Sequence, residues 1–277
     1  MMLRIRGVDL YYHICGVDKP VLILHGLGLD HLSMIGCMEP IFRRRKGYKR
    51  IYIDLPGSGR TRGVNQVNSS DDVLSLLLDF VSKILGKEHF ILIGYSYGGY
   101  LARGVITKLP DQVDAILLIA PLIIAEHYGR DLPEHKVLIR DPILPRKVKA
   151  REAAWFGEVA VLQTAKVWDR FKAEILPGLK NADKSFIDRL LRNYSLSLDV
   201  DGLQKQFFKP TLIILGIYDV SVGYKDAFNI LNVYPKAELT VISRAGHLLH
   251  LEHEDLFNRL IHGWLDRIER NNLIKAH

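Results

Sequence analysis

The chain has 277 residues and a formal net charge of +7; 48% of its residues are hydrophobic and 25% are charged. This balance excludes a disordered chain, and the length suffices to bury a large core in one domain with an insertion. The apolar runs have the length of a buried strand, which excludes a membrane-spanning helix and predicts no membrane partner. The segment MMLRIRGVDL shows no apolar core followed by a cleavage site, so we expect a soluble, cytoplasmic protein.

The positive charge is densest between Arg43 and Arg50, directly after a predicted helix. The helix dipole stabilises cations at the C-terminal end of a helix, and no zinc-finger or RNA-binding pattern accompanies them. We therefore predict no nucleic-acid partner. The two cysteines, Cys15 and Cys37, can form at most one bridge and are predicted as free thiols.

Short β-rich runs alternate with amphipathic stretches along most of the chain. The runs predict eight strands, at residues 3–6, 10–14, 21–24, 51–54, 90–94, 116–120, 211–215 and 239–242. Helical spacing predicts helices at residues 31–42, 71–85, 98–109, 225–233 and 255–269. Because parallel strands need crossover helices, this alternation predicts an α/β fold. Its mostly parallel eight-stranded sheet would carry helices on both faces.

The alternation stops between residues 122 and 208, where helical patterns and no convincing strand are found. A helical insertion between two strands predicts a lid over the carboxyl ends of the strands, where open α/β sheets bind ligands. We therefore predict a core domain of residues 1–121 and 209–277 and a helical cap of residues 122–208.

The sharpest chemical signal is the segment Gly94-Tyr95-Ser96-Tyr97-Gly98, which follows a predicted strand and precedes a predicted helix. So tight a turn forces Ser96 into a strained backbone conformation and presents its hydroxyl at the edge of the sheet. Gly94 and Gly98 leave room where the strand and the helix approach each other. Free amides at the helix N-terminus favour developing negative charge, which makes Ser96 a candidate nucleophile.

A serine hydroxyl becomes a good nucleophile when a base removes its proton. His247 is the candidate base because it follows the last predicted strand and precedes the last helix. A carboxylate should orient that base, and Asp219 follows the strand at 211–215; an ordinary turn or helix-capping aspartate is the alternative. The spacing of His250 and His253 suggests a metal site, but no further ligand completes it, and we predict no metal.

Acyl transfer also needs two N–H donors for the oxyanion. We predict the N–H of Tyr97, directly after Ser96, and the N–H of Leu27, in the loop after the third strand. His25 in that loop is expected to brace it by hydrogen bonding. The predicted pocket residues are Leu122, Trp155, Trp168 and Leu248.

Together with Asp54-Leu-Pro-Gly-Ser-Gly-Arg60, these motifs occur in the order seen in the α/β-hydrolase superfamily. The chain resembles the capped esterases and small-molecule hydrolases of that superfamily over nearly its whole length outside residues 122–208. The resemblance implies that Ser96 is the nucleophile, His247 the base and Asp219 the acid. A serine nucleophile, in place of aspartate, argues against a haloalkane dehalogenase or an epoxide hydrolase.

These features predict hydrolysis of a small, largely apolar carboxylic ester, with no cofactor and with a small molecule as substrate. The same triad would also serve acyl transfer, perhydrolysis or hydrolysis of a carbon–carbon bond, because the fold does not determine the acceptor. A further alternative is a hydrolase-like receptor that captures a ligand with negligible turnover. A monomer and a homodimer are both compatible with the sequence.

Overall fold

The computed structural model describes residues 1–142, 144, 150–202 and 206–275. Ten strands are present in these ranges: β1 (Met2–Ile5), β2 (Val8–Cys15), β3 (Lys19–Leu24), β4 (Tyr48–Ile53), β5 (Phe90–Tyr95), β6 (Val113–Ile119), β7 (Ile139–Arg140), β8 (Leu162–Gln163), β9 (Thr211–Gly216) and β10 (Ala237–Ile242). Eight of them form one sheet in the order β1-β2-β4-β3-β5-β6-β9-β10. β2 pairs antiparallel with β1 and β4, and the remaining pairs are parallel. The predicted mostly parallel, eight-stranded α/β sheet is confirmed.

The centre of the sheet explains why its strands are apolar runs. β5 lies between β3 and β6, and every residue from Phe90 to Tyr95 is buried. A strand covered on both faces has no solvent side, so it carries no polar alternation. The carboxyl ends of β3, β5, β6 and β9 therefore meet at one edge of the sheet.

The described helices are α1 (His31–Phe42), α2 (Ser70–Ile84), α3 (Tyr97–Lys108), α4 (Ala150–Val159), α5 (Ala165–Arg170), α6 (Leu176–Asn181), α7 (Lys184–Arg192), α8 (Leu249–Glu252) and α9 (Glu254–Lys275). Their starts follow local capping chemistry. Asp30 caps α1 by accepting the N–H of Leu32, and Ser69 with Asp72 forms a capping box on α2. None of the helices in the described ranges combines the length and apolar character that a bilayer span requires.

Two predictions about the elements are wrong. Residues 225–233 do not form an α-helix. A shorter 3₁₀ helix, Lys225–Ile230, is present instead, and the N–H of Leu231, directly after it, bonds to the carbonyl of Phe228. Pro235 soon follows and disfavours helical backbone just before it. The segment between β6 and β9 does contain strands, because β7 and β8 pair in parallel. Two-residue strands are too short to show a period-two pattern.

The segment between β6 and β9 otherwise carries α4 to α7, as its helical patterns predict. A π-helical turn, Phe171–Ile175, joins α5 to α6. Aromatic rings pack together within the segment between β6 and β9. Trp168 stacks on Phe171 with ring centres 5.7 Å apart, and Phe156 packs against both. The predicted boundaries of the core domain and the cap stay a prediction.

Parts of the basic cluster after α1 are neutralised by neighbours. Arg45 pairs with Asp266 and Glu269 of α9, and Arg50 pairs with Glu39 of α1. These contacts fasten α1 and β4 to each other and to the last helix. Both cysteines are free thiols; Cys37 is buried, and burial raises its pKa.

Candidate active site

The turn between β5 and α3 holds Ser96 in a strained conformation. Its φ is 54° and its ψ is −117°, a region that side chains with a Cβ rarely adopt. The turn closes because Gly98 has no side chain: a Cβ there would lie 2.5 Å from the carbonyl oxygen of Leu24 and 2.6 Å from that of His25. The local sequence therefore presents the half-buried hydroxyl of Ser96 at the carboxyl edge of the sheet, directly before the N-terminus of α3.

Three loops bring Ser96, His247 and Asp219 together. His247 Nδ1 lies 2.8 Å from Asp219 Oδ2, and His247 Nε2 lies 3.1 Å from Ser96 Oγ. A carboxylate oxygen only accepts, so the proton of a neutral His247 is on Nδ1. Nε2 is then free to accept the hydrogen of the Ser96 hydroxyl. The arrangement can move a proton from Ser96 to His247.

Asp219 is held so that only one of its oxygens faces His247. Its Oδ1 accepts the N–H groups of Ser221 and Val222, at 2.9 and 3.0 Å. The carboxylate is completely buried. Asp219 therefore stabilises a turn through Oδ1 and contacts His247 through Oδ2. The two interpretations of this residue from the sequence are compatible.

Tyr95 supports the loop that carries His247. The sequence did not predict this contact. Its hydroxyl donates to the carbonyl of His247 at 3.1 Å, and its ring lies 5.0 Å from the imidazole of His247. The ring of Tyr95 also packs edge-on against the buried ring of His250, 4.9 Å away. Its place next to Ser96 at the end of an apolar strand was the available signal.

Glu252 links the loop of His247 to β8, and it was also missed. Its Oε2 accepts the N–H of Gly246 at 2.8 Å, while Oε1 accepts the N–H groups of Val161 and Leu162 at 2.7 and 3.2 Å. Burial raises the pKa of Glu252, and the three N–H donors oppose that rise. The position of His247 is thus coupled to the segment between β6 and β9.

The loop after β3 lies against Ser96. A Cβ on Gly26 would lie 3.2 Å from the Cβ of Ser96. His25 braces this loop as expected: its Nε2 accepts the N–H of Leu55 at 3.0 Å, so Nδ1–H donates to the carbonyl of Gly26 at 2.7 Å. In a trans peptide the N–H points opposite to the carbonyl, so the N–H of Leu27 points away from His25.

The second predicted oxyanion donor is the N–H of Tyr97. Tyr97 is the first residue of α3, where an N–H has no acceptor inside the helix. The Tyr97 ring is buried, stacks on Tyr194 at 5.0 Å, and its hydroxyl bonds to Ser70 at 2.9 Å. The side chain of Tyr97 thus contacts Tyr194 and Ser70, while its backbone N–H directly follows Ser96.

A cavity of about 210 Å³ adjoins Ser96 and His247. Loops at the sheet edge and residues from the segment between β6 and β9 both line it; the lining residues are Gly26, Leu27, Leu29, Tyr95, Ser96, Leu122, Arg130, Trp155, Tyr194, Ser221, Val222 and His247. Of the predicted pocket residues, Leu122 and Trp155 line it. Trp168 and Leu248 do not: Trp168 packs against Phe156 and Phe171, and Leu248 lies in the hydrophobic core. Arg130 and Tyr194 were missed, since a lone residue in an irregular segment carries no sequence signal.

No group of three or more His, Cys, Asp or Glu side chains with metal-binding geometry occurs within the described ranges. His253 Nε2–H donates to the carbonyl of Arg244 at 3.0 Å, and His250 is enclosed by Tyr95 and Phe257. These two histidines therefore serve packing and loop contacts in the described structure.

A model of the "Alpha/beta hydrolase family" matches residues 21–260. The crystal structure of an alpha/beta superfamily hydrolase from Oenococcus oeni is 32% identical, has a TM-score of 0.88, and is matched over 97% of this chain and 99% of that one. A 2-hydroxy-6-oxononadienedioate/2-hydroxy-6-oxononatrienedioate hydrolase from Escherichia coli is 25% identical over 95% of this chain and 92% of its own. A thermophilic esterase from Thermogutta terrifontis shares the fold at 20% identity, with a TM-score of 0.65 over 94% of each chain.

Proposed function

The chain belongs to the alpha/beta hydrolase family, and we propose that it is a serine hydrolase that cleaves a small carboxylic ester. The observation that carries this proposal is the hydrogen-bonded chain from Ser96 through His247 to Asp219. A hydroxyl, an imidazole and a carboxylate in this order form the machinery of nucleophilic acyl transfer. The strained backbone of Ser96 supports the proposal, because strain of this kind concentrates at functional sites.

In the proposed cycle, Ser96 Oγ attacks the ester carbonyl while His247 Nε2 takes its proton. The N–H groups of Leu27 and Tyr97 would stabilise the oxyanion of the tetrahedral intermediate. His247 then gives the proton to the departing alcohol, and an acyl-enzyme forms on Ser96. A water molecule then gives a proton to His247 and attacks the acyl carbonyl, and His247 returns this proton to Ser96 Oγ as the carboxylic acid leaves.

The size and lining of the cavity support a small substrate. A volume of about 210 Å³ lies below the range common for drug-sized ligands, roughly 300–1,000 Å³. Leu122 and Trp155 give part of it an apolar wall. We assign substrate choice to the segment between β6 and β9, because it supplies Leu122, Arg130, Trp155 and Tyr194 to the lining of the cavity.

Hydrolysis of a carbon–carbon bond is a second candidate. The Escherichia coli relative is a hydrolase of 2-hydroxy-6-oxononadienedioate. This compound carries a keto group and no ester. The same hydroxyl and imidazole act on a carbonyl in either reaction, so the geometry of Ser96 and His247 is compatible with both.

The test is a turnover assay of the wild type and the Ser96→Ala variant on p-nitrophenyl acetate, butyrate and hexanoate and on a 2-hydroxy-6-oxo-dienoic acid. We expect the wild type to turn over the esters and Ser96→Ala to lose about a million-fold in kcat with an unchanged circular dichroism spectrum. Ser82→Ala, on the exposed face of α2, is the matched control and should keep full activity.

Turnover of the dienoic acid alone would replace the ester proposal by the carbon–carbon reaction. Full ester activity in Ser96→Ala would overturn both candidates, since each requires the Ser96 hydroxyl.

A further inference from the structure

One cation lies in the wall of the cavity beside Ser96 and His247. Arg130 follows the short 3₁₀ helix His127–Gly129 in the chain between β6 and β9, and it lines the same cavity as Ser96, His247 and Tyr194. Neither the proton transfer from Ser96 nor the oxyanion donors use it. The proposed cycle therefore leaves Arg130 available to contact another part of the substrate.

The guanidinium of Arg130 is held in place by backbone carbonyls. Its Nε–H donates to Ile124 at 2.9 Å, Nη1–H to Ser221 at 2.9 Å and Nη2–H to Ala125 at 2.6 Å. Two of these carbonyls follow β6, and the third belongs to the loop of Asp219. A guanidinium has five N–H groups, so Nη1 and Nη2 each keep one N–H beyond these bonds.

The charge of Arg130 is not balanced by an ion pair within the described part of the chain, where its hydrogen-bond acceptors are neutral carbonyls. Four other arginines with mostly buried side chains do have carboxylate partners: Arg45, Arg50, Arg103 and Arg170. A half-buried cation without a close counter-ion is costly unless an anion binds beside it. Burial lowers the pKa of Arg130, in line with this cost, and an arginine stays charged at neutral pH.

We propose that Arg130 binds a carboxylate of the substrate, so that the preferred ester carries a second, ionised acid group. A planar carboxylate matches the two remaining terminal N–H groups of the guanidinium and fits a cavity of about 210 Å³. This inference rests on the proposed function, because it places the ester of the same molecule at Ser96. A monoester of a short dicarboxylic acid is the simplest compound of this class.

Tyr194 is a second polar residue in the lining of the cavity. Its ring stacks on Tyr97. Burial raises the pKa of its hydroxyl, and the charge of Arg130 opposes that rise. A hydroxyl that stays protonated is a hydrogen-bond donor to an anion, in agreement with a carboxylate beside Arg130.

The test compares two esters of similar length, p-nitrophenyl hydrogen glutarate and p-nitrophenyl hexanoate, in the wild type and in Arg130→Met. Removing a charge-assisted hydrogen bond should lower kcat/KM for the glutarate about 10- to 100-fold, mostly through KM. The hexanoate value should change less than threefold. Arg130→Lys, which keeps the charge, should recover part of the glutarate activity.

Two further variants separate binding from a structural role. Arg130→Gln keeps an N–H donor for the backbone carbonyls and removes the charge, so it should show the same selective loss even if Arg130→Met does not fold. Arg62→Met removes another arginine that donates to backbone carbonyls, those of Gly59 and Thr61, and should leave both esters unaffected. Equal losses on both esters in Arg130→Gln would make Arg130 a structural clamp and overturn the inference.

Calorimetric binding of free glutarate to Ser96→Ala distinguishes this inference from the proposed function. Glutarate binding that Arg130→Gln weakens at least tenfold would support the carboxylate site even if no ester is hydrolysed. Hydrolysis of the hexanoate, combined with no measurable binding of glutarate, would leave the proposed function standing and overturn the carboxylate site.

Discussion

The cavity has a floor and a roof that are held in different ways. The floor consists of loops at the carboxyl edge of the sheet, with Ser96, Asp219 and His247, and backbone N–H groups and close glycine contacts fix each position. We call the chain between β6 and β9 the roof; it lines the cavity with Leu122, Arg130, Trp155 and Tyr194. Ring stacking positions Trp155 and Tyr194, Glu252 holds β8, and backbone carbonyls hold the guanidinium of Arg130.

This difference separates chemistry from selectivity. Proton transfer tolerates little displacement, and strand ends in a buried sheet provide that precision. A substitution that changes only a lining side chain of the roof leaves in place the Glu252 contacts that hold the loop of His247. Substitutions in the floor should therefore alter turnover or stability, while substitutions in the roof should alter which substrate is preferred.

The largest expected effect is in the floor, at Asp219. In Asp219→Asn the amide donates to Nδ1 of His247, so the imidazole proton moves to Nε2, which then cannot accept the hydrogen of Ser96. We expect kcat on p-nitrophenyl butyrate to fall about 10⁴-fold. Asp226→Asn, which alters a buried carboxylate bonded to the N–H of Asp131, is the control and should lose less than tenfold. A tenth of wild-type activity in Asp219→Asn would contradict the role of Asp219.

A pair of glycines compares the tightness of floor and roof. The methyl of Gly98→Ala would meet the backbone oxygens of Leu24 and His25, so we expect the free energy of unfolding to drop by about 2 kcal/mol. Gly157 lies in α4 with nothing within 4 Å of an added Cβ, and Gly157→Ala should stabilise by up to about 1 kcal/mol. Urea unfolding measures both; equal effects would show that the two regions are packed alike.

The buried carboxylate of Asp54 should stabilise the folded protein in a pH-dependent way. It accepts N–H groups from His31 and Arg60. Burial alone would raise its pKa, but the hydrogen bonds from His31 and from the N–H of Arg60 hold the pKa of Asp54 below its usual 3.8. Because the folded-state pKa is the lower one, the stabilisation is complete above pH 3.8 and is lost as the pH falls through the folded value.

Asp54→Asn should therefore cost about 2 kcal/mol of unfolding free energy at pH 7, and the difference from wild type should shrink below about pH 4. The roof counterpart is Asp183→Asn, which alters the exposed N-cap of α7 and should cost about 1 kcal/mol or less. Urea unfolding at pH 7 and pH 3 measures both. A pH-independent difference at Asp54 would contradict the charged carboxylate as the cause.

At Trp155, in the roof, we expect a change in substrate preference. Its side chain lines the cavity and also a groove of about 710 Å³ formed by Glu152, Ala154, Leu176, Leu179, Lys180 and Lys184. Trp155→Ala should join the two spaces and admit longer acyl chains, so kcat/KM for p-nitrophenyl octanoate relative to butyrate should rise about tenfold. Trp168→Phe, inside the roof and away from the cavity, should leave the ratio unchanged. An unchanged ratio in Trp155→Ala would show that Trp155 does not limit chain length.

Much of the floor could be predicted from local sequence. The strain at Ser96 and the need for Gly98 follow from the short path between β5 and α3, and both are observed. The roles of the Leu27 and Tyr97 N–H groups as oxyanion donors stay predictions. The 3₁₀ helix at Lys225–Ile230 and the pair of β7 with β8 escaped prediction, because short elements lack a readable period.

By itself, the sequence determined the order of strands and helices and the turn at Ser96, since periodicity and short-range sterics act within a few residues. Only the tertiary structure decided which distant side chains meet. It set Arg130 and Tyr194 in the cavity wall, brought the hydroxyl of Tyr95 to the carbonyl of His247, and buried Trp168 away from the cavity. Such contacts depend on how separate elements pack against each other, and no local pattern along the chain records that packing.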